Sequence, residues 1–224
     1  MNRSAARIVR EYGPFIGVDK VHGVTYDGRQ VWIATGERLD AIDPASGETL
    51  RSIPVAADAG TAFDGEHLFQ IAHGQIQKID PQSGRVLSTI AAPGNDGQSG
   101  LTWAEGSLWV GHYPERKIYQ VDPDTGAVLR TIESNRFVTG ITWVDGELWH
   151  GTWEGDESEL RHIDPRSGEV LESVEMPAGA GISGLESNGA DLFFCGGGGS
   201  GLVRAVQRPA RAGGAEVPVD SMNE

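Results

Sequence analysis

Residues 163–171 read IDPRSGEVL, and the same phrase stands three more times upstream: IDPASGETL at 42–50, IDPQSGRVL at 79–87 and VDPDTGAVL at 121–129. The Asp-Pro pairs begin at Asp43, Asp80, Asp122 and Asp164, so the phrase recurs after 37, 42 and 42 residues. Each residue of the phrase has a turn function. Asp binds its own downstream backbone, Pro presets φ, and Gly takes a positive φ. Upstream of each phrase lies a second recurring piece: YDGRQVWIA, FDGEHLFQI, WAEGSLWVG and WVDGELWHG. A fifth copy, SNGADLFFC at 187–195, has no Asp-Pro turn after it.

Each repeat therefore reads as strand, Gly turn, strand, loop, strand, Asp-Pro turn, strand. Alternation of period two in KIYQVD and ELRHID supports strands, and no stretch carries helical periodicity. Four antiparallel strands at a period of about 40 residues predict an all-β chain folded as a β-propeller. Four full blades and one short one make five. The short blade has three strands, in GISGLES, LFFCGGG and LVRAVQR, and RIVREYG at 7–13 supplies its outer strand. Closure of this kind removes an exposed sheet edge. Residues 1–209 are expected to form one propeller domain, and 210–224 a disordered tail.

Composition bounds the function. The 224 residues include 32 Gly and carry a formal net charge of −14. That charge argues against nucleic acid and against an anionic membrane as partners. Cys195 is the one cysteine, so no internal disulfide forms and a reducing compartment is favoured. The N-terminal MNRSAARIVREYGPF has no apolar core of a signal peptide, and no stretch reaches membrane-spanning length. The expectation is a cytoplasmic monomer that takes a small-molecule or peptide ligand at the channel mouth.

Propeller geometry says where a site must be. The Asp-Gly turns and the Asp-Pro turns share one face and hardly vary, so Asp43, Asp80, Asp122 and Asp164 are scaffold. The variable loops share the other face, and sites are built on such loops. His22, Ser99, Thr139 and Ser183 fall at the starts of the innermost strands. His73, His112, Tyr113, Trp153, Glu154 and Cys195 fall at the ends of the second strands, with Arg116, Arg136 and Phe137 nearby. Trp32, Trp109 and Trp149 recur at one position, with Phe69 and Phe193 as equivalents, and read as blade-to-blade packing. Trp103 and Trp143 recur likewise, whereas Trp153 does not recur and reads as a ligand contact. A single His is more often a hydrogen-bonded structural residue than a ligand. No H-x-x-x-H, C-x-x-C or H-E-x-x-H spacing is present, so neither a metal nor another cofactor is expected. The glycine run 196–199 lacks the Lys-Ser/Thr and helix of a phosphate loop.

The segments VHGVTYDGRQVWIATG with IDPASGETL, and GITWVDGELWHGTW with IDPRSGEV, resemble the five-bladed glutaminyl cyclases of plant and bacterial type. More distantly they resemble streptogramin lyase-like propellers. The resemblance implies a channel-mouth site that cyclises an N-terminal glutamine to pyroglutamate with loss of ammonia. By the family's patterns its first-blade Gln falls on His22, and Thr35 and Gly36 match. Its catalytic Glu falls near Ile33, its Asn falls on Thr139, and Trp149 and Trp153 match. Its Lys has no counterpart in the glycine run. Cyclisation needs a base and an acid. His22, His112 and Glu186 are therefore the candidate titrating groups. Tyr113, Trp153, Thr139, Ser183, His73 and Arg136 are the candidate substrate contacts. Three readings result: a cyclase-like enzyme with diverged acid–base chemistry, a non-catalytic ligand- or peptide-binding module, and a metal-dependent lyase or hydrolase.

Overall fold

A computed structural model describes residues 2–210, so the tail expected over 210–224 lies, beyond Ala210, outside the described residues. Among the described residues there are strands and no α-helix. Two N-terminal strands, β1 (Asn2–Ala5) and β2 (Ile8–Tyr12), precede the repeats. Blade 1 is β3 (Gly23–Tyr26), β4 (Val31–Ala34), β5 (Leu39–Ile42) and β6 (Thr49–Ile53). Blade 2 is β7 (Thr61–Phe63), β8 (Leu68–Ala72), β9 (Gln75–Ile79) and β10 (Val86–Ala91). Blade 3 is β11 (Gln98–Ala104), β12 (Ser107–His112), β13 (Lys117–Val121) and β14 (Val128–Glu133). Blade 4 is β15 (Ile141–Val144), β16 (Glu147–Glu154), β17 (Glu157–Ile163) and β18 (Val170–Glu175). Blade 5 is β19 (Gly184–Ser187), β20 (Leu192–Gly196) and β21 (Val203–Gln207), completed on its outer side by β2. The innermost strands follow one another as β3, β7, β11, β15 and β19, and β19 returns to β3. The chain is a five-bladed β-propeller.

The strand predicted over 7–13 is β2, antiparallel to β21. One strand goes beyond the four-stranded expectation. β1 adds to blade 4 as a fifth strand, parallel to β18, with Asn2 opposite Glu172 and Ala5 opposite Glu175. Only Ala6 and Arg7 separate it from β2, and both are held by backbone bonds. Ala6 N–H donates to Glu175 O at 2.7 Å, and Gln207 N–H donates to Arg7 O at 2.9 Å. The N-terminal segment thus crosses from the rim of blade 4 to the rim of blade 5.

Glycines set how closely the blades approach. Gly23, Gly60, Gly100, Gly140 and Gly184 each lie at or near the start of an innermost strand. A Cβ on Gly60 would stand 2.4 Å from Leu101 N, and one on Gly140 would stand 2.3 Å from Leu185 N. A Cβ on Gly184 would stand 2.6 Å from Val24 N, which closes the circle. The five strands therefore meet backbone to backbone in a ring of glycines about the axis.

Aromatic rings interleave above this ring. Phe69 stacks on Trp103 at 5.6 Å, and Trp109 on Trp143 at 5.5 Å. In blade 5 this position belongs to Phe194, which lies 5.7 Å from Tyr26 of blade 1, and not to Phe193. The register explains the correction. Glu186 pairs with Phe194 as Thr142 pairs with Trp149, because the hairpin of blade 5 is one residue longer. Phe193 still packs between blades, against Trp149 at 5.1 Å.

The Asp-Pro turns behave as scaffold. In each, the Gly N–H returns to the Asp carbonyl at 2.7–2.9 Å, and their hydrogen bonds hold the four aspartates below the usual carboxylate pKa. Neighbouring blades clamp them: Arg51 donates to Gln82 O and Arg130 to Pro165 O. Every outer strand carries a bulge at one place, and the extra residues are Val9, Leu50, Leu87, Leu129 and Leu171. Bulges twist an edge away from pairing, so these five aliphatic residues stay exposed without offering a flat strand.

Candidate functional site

The variable loops gather on one face, and two clusters form there. The first lies over blades 1 and 2. His73 sits at φ +52° in a tight turn and is mostly exposed, with Nδ1 3.3 Å from Asp58 Oδ2. His22 is half-buried, and the Asp58 main-chain carbonyl lies within hydrogen-bonding reach of its ring. Burial first, and then the Lys20 charge, hold its pKa below the usual histidine value, against the opposing pull of Asp58. Gly36 lies beside the ring, where a Cβ would stand 3.8 Å from His22 Nε2. Asp58 thus joins His22 and His73. Sequence reasoning missed Asp58, whose one signal was its place two residues before Gly60.

The second cluster lies over blades 3 and 4. Tyr113 and Phe137 stack at 4.5 Å, and the Arg116 guanidinium stands 4.3 Å from the Phe137 ring centre. Glu154 ties the cluster together. It accepts from Phe137 N–H at 3.1 Å and pairs with Arg136 at 3.5 Å and Arg116 at 3.9 Å. The Tyr113 hydroxyl donates to Trp153 O at 3.2 Å. The Trp153 ring covers Gly181 and Gly198, where any Cβ would stand within 3.0 Å of it. Trp153 therefore lies across the junction of blades 4 and 5.

The remaining candidates make other contacts. Ser183 donates to Val21 O at 2.5 Å and accepts from Gly198 N–H at 3.0 Å. Ser99 makes the matching bond to Val138 O, so these two hydroxyls tie each blade to the next. Thr139 stands at the same position, is buried, and its hydroxyl has no partner among the described residues. His112 is buried inside blade 3. Its Nε2 lies 2.9 Å from Asn95 O, and Nδ1 accepts from Glu115 N–H. In the glycine run, the N–H groups of Gly197, Gly198 and Gly201 all bind within the protein. Cys195 is buried, and burial pushes its thiol pKa up to about 12.

Glu186 lies on the far side of the glycine ring from His22. It sits at the level of Thr25, three residues and so about 10 Å along the strand from His22. Thr25 donates to one carboxylate oxygen at 2.9 Å and Thr142 to the other at 2.5 Å, and Ser187 N–H adds a third bond. Burial pushes its pKa up to about 7 against these hydrogen bonds. The three candidate titrating groups are thus held in three different places. Thr25 and Thr142 were missed, although Thr, Ala, Thr, Thr and Glu follow the five ring glycines at one spacing. Among the described residues, no three His, Cys, Asp or Glu side chains are grouped to hold a metal.

No protein-family model and no curated protein matches the chain. Solved structures do. The glutaminyl cyclase of Myxococcus xanthus shares 18% identity at a TM-score of 0.77, over 92% of this chain and 97% of that one. The hydrazine synthase of Kuenenia stuttgartiensis shares 17% identity at a TM-score of 0.51, over 80% of this chain and 56% of that one. At these identities the likeness is one of fold.

Proposed function

We propose that the channel mouth takes a small polar molecule or a peptide, and that His22 is the proton acceptor for chemistry on it. The supporting observation is the grouping of His22 and His73 about Asp58, with Gly36 rather than a larger residue beside His22 Nε2. A lowered pKa keeps the imidazole neutral at neutral pH, which a general base requires. The Myxococcus enzyme is a glutaminyl cyclase, so a glutaminyl peptide is the first substrate to offer. Here Ile33, fully buried in apolar core, stands near where that family's pattern carries its acid. The chemistry therefore differs from the family's in its acid. The test is ammonia release from a glutaminyl peptide. Release by the native protein, lost in a folded His22→Ala variant, supports the reading; full activity in that variant removes His22 from the mechanism.

A non-catalytic reading has its own support in the Tyr113–Phe137–Arg116 stack fixed by Glu154. Aromatic rings and arginines held in place before binding suit recognition without turnover. Saturable peptide binding with no product, weakened in Phe137→Ala, would establish it. A peptide consumed on incubation excludes it.

A further inference from the structure

We propose that the outer edge of blade 4 is a docking site for an extended, arginine-bearing segment of a partner protein, and that β1 occupies it in cis. β1 is the one strand that the propeller does not need, because β2 alone completes blade 5. All four of its residues are exposed, so side-chain burial does not hold it. What holds it is main-chain pairing with β18 and an exposed contact of Arg3 with Glu175 at 3.6 Å. Main-chain pairing with side-chain selection at alternate positions is how extended peptides are read by sheet edges.

The ground beside β1 suits an arginine. Arg3 lines a cavity of about 460 Å³ together with Asp156, Glu157, Glu159, Glu175 and Arg136. With Arg3 in place there are four carboxylates to two arginines, and without it four to one. Glu159 is already matched by Arg161 at 2.7 Å, and Glu157 lies 3.8 Å from Arg136. Ser158 also lines the cavity, is 3% exposed, and its hydroxyl has no partner among the described residues. The net charge of −14 favours a basic partner over the rest of the surface as well. Arg136 joins this cavity to the Glu154 cluster at the mouth, so occupation of the edge reaches the mouth loops directly.

The probe is a fluorescein-labelled peptide with the sequence of residues 2–7, NRSAAR, read by anisotropy. A short tether gives β1 an effective concentration on the order of millimolar, which a free peptide must outcompete. A variant lacking residues 2–5 is therefore expected to bind the peptide saturably, about tenfold or more tighter than the full chain. Glu175→Lys, or Glu in place of the peptide's first arginine, is expected to abolish that binding. Arg3→Glu in the full chain gives the same readout without a deletion, should the shortened chain fail to fold. The proposal is overturned if the folded variants bind the peptide no better than the full chain. It is also overturned if the full chain sediments as a dimer that the deletion abolishes, because the edge then belongs to a second copy.

Discussion

The hydroxyl of Thr25 in blade 1 donates to the carboxylate of Glu186 in blade 5 at 2.9 Å, across 161 residues of sequence. Thr142 of blade 4 holds the other oxygen, so one side chain joins three blades at the axis. Burial is the dominant influence on this carboxyl and favours its neutral form, with a pKa of about 7 against an ordinary 4.5. The folded state then binds a proton that the unfolded state releases. The contribution of Glu186 to stability is greatest below pH 4.5, falls as pH rises towards 7, and levels off above it. The loss is on the order of 3 kcal/mol. Glu186→Gln keeps an acceptor for the threonines and removes the charge. It is expected to match the native protein in urea midpoint at pH 4.5 and to exceed it at pH 8. Equal midpoints at both pH values would show that Glu186 does not titrate in this range.

His150 pulls the other way. It is 1% exposed, its Nδ1 lies 3.0 Å from Gly151 O, and burial holds its pKa down to about 4. Here the unfolded state takes the proton first. The contribution of His150 to stability is complete above pH 6.5 and is lost as pH falls towards 4. The two slopes oppose each other between about pH 4.5 and 6.5, so the native protein is expected to show a nearly flat profile there. Gln70 occupies the matching position in blade 2, opposite Thr61 as His150 is opposite Ile141. His150→Gln is therefore a substitution that the repeat already accommodates. It is expected to expose the falling limb of Glu186, visible as a midpoint that drops steadily from pH 4.5 to 7. A flat profile in that variant would remove the compensation.

The repeat phrases carried the fold, because each turn residue acts locally. Asp43, Asp80, Asp122 and Asp164 cap their own turns wherever the blade is placed. What was not legible depends on contacts between blades. One extra residue before Leu192 shifts the aromatic position from Phe193 to Phe194, and only strand register reveals it. NRSA at β1 has no apolar alternation, because the strand is held by backbone pairing and the Arg3–Glu175 contact rather than by buried side chains. His112 and His22 looked alike as loop histidines. The fold of residues 92–98 over His112 separates them: Asn95 O lies 2.9 Å from its Nε2, and a Cβ on Gly94 would stand within 3 Å of its ring.

The glycine ring gives a sharp contrast between two glycines of one blade. A Cβ on Gly140 would meet Leu185 N at 2.3 Å and Gly184 C at 2.4 Å, both backbone atoms that cannot step aside. Gly146 has φ +79° in the hairpin turn, but no atom lies within 4 Å of a Cβ there. Gly140→Ala is expected to cost about 3 kcal/mol or more by forcing blades 4 and 5 apart. Gly146→Ala is expected to cost about 1 kcal/mol through backbone strain alone. Urea midpoints of the two variants decide it, and equal losses would mean that the ring is loosely packed.

Tyr12 closes the propeller where β2, from the start of the chain, completes blade 5 beside blade 1. In the other blades its position holds Ile53, Ile90, Ile132 or Val174, and Ile53 and Ile132 pack on the glycine of the next Asp-Pro turn. Tyr12 packs on Gly47 in the same way, but its hydroxyl also donates to Pro44 O at 3.0 Å. Arg10 stacks 4.8 Å from its ring and donates to Ala45 O and Ser46 O. Tyr12→Ile keeps the packing used elsewhere and is expected to cost about 1 kcal/mol for the lost hydrogen bond. Tyr12→Ala removes a 6%-exposed ring and is expected to cost about 3–5 kcal/mol. The position of the loss matters more than its size. The clasp fixes β2, a strand paired to the rest of blade 5 only through β21, to the Asp-Pro turn of blade 1, so opening should begin there. Native-state hydrogen exchange in Tyr12→Ala should therefore quicken first at β2, β6 and β21 while blade 3 stays protected. Uniform acceleration across all five blades would show instead that the ring opens as one cooperative unit.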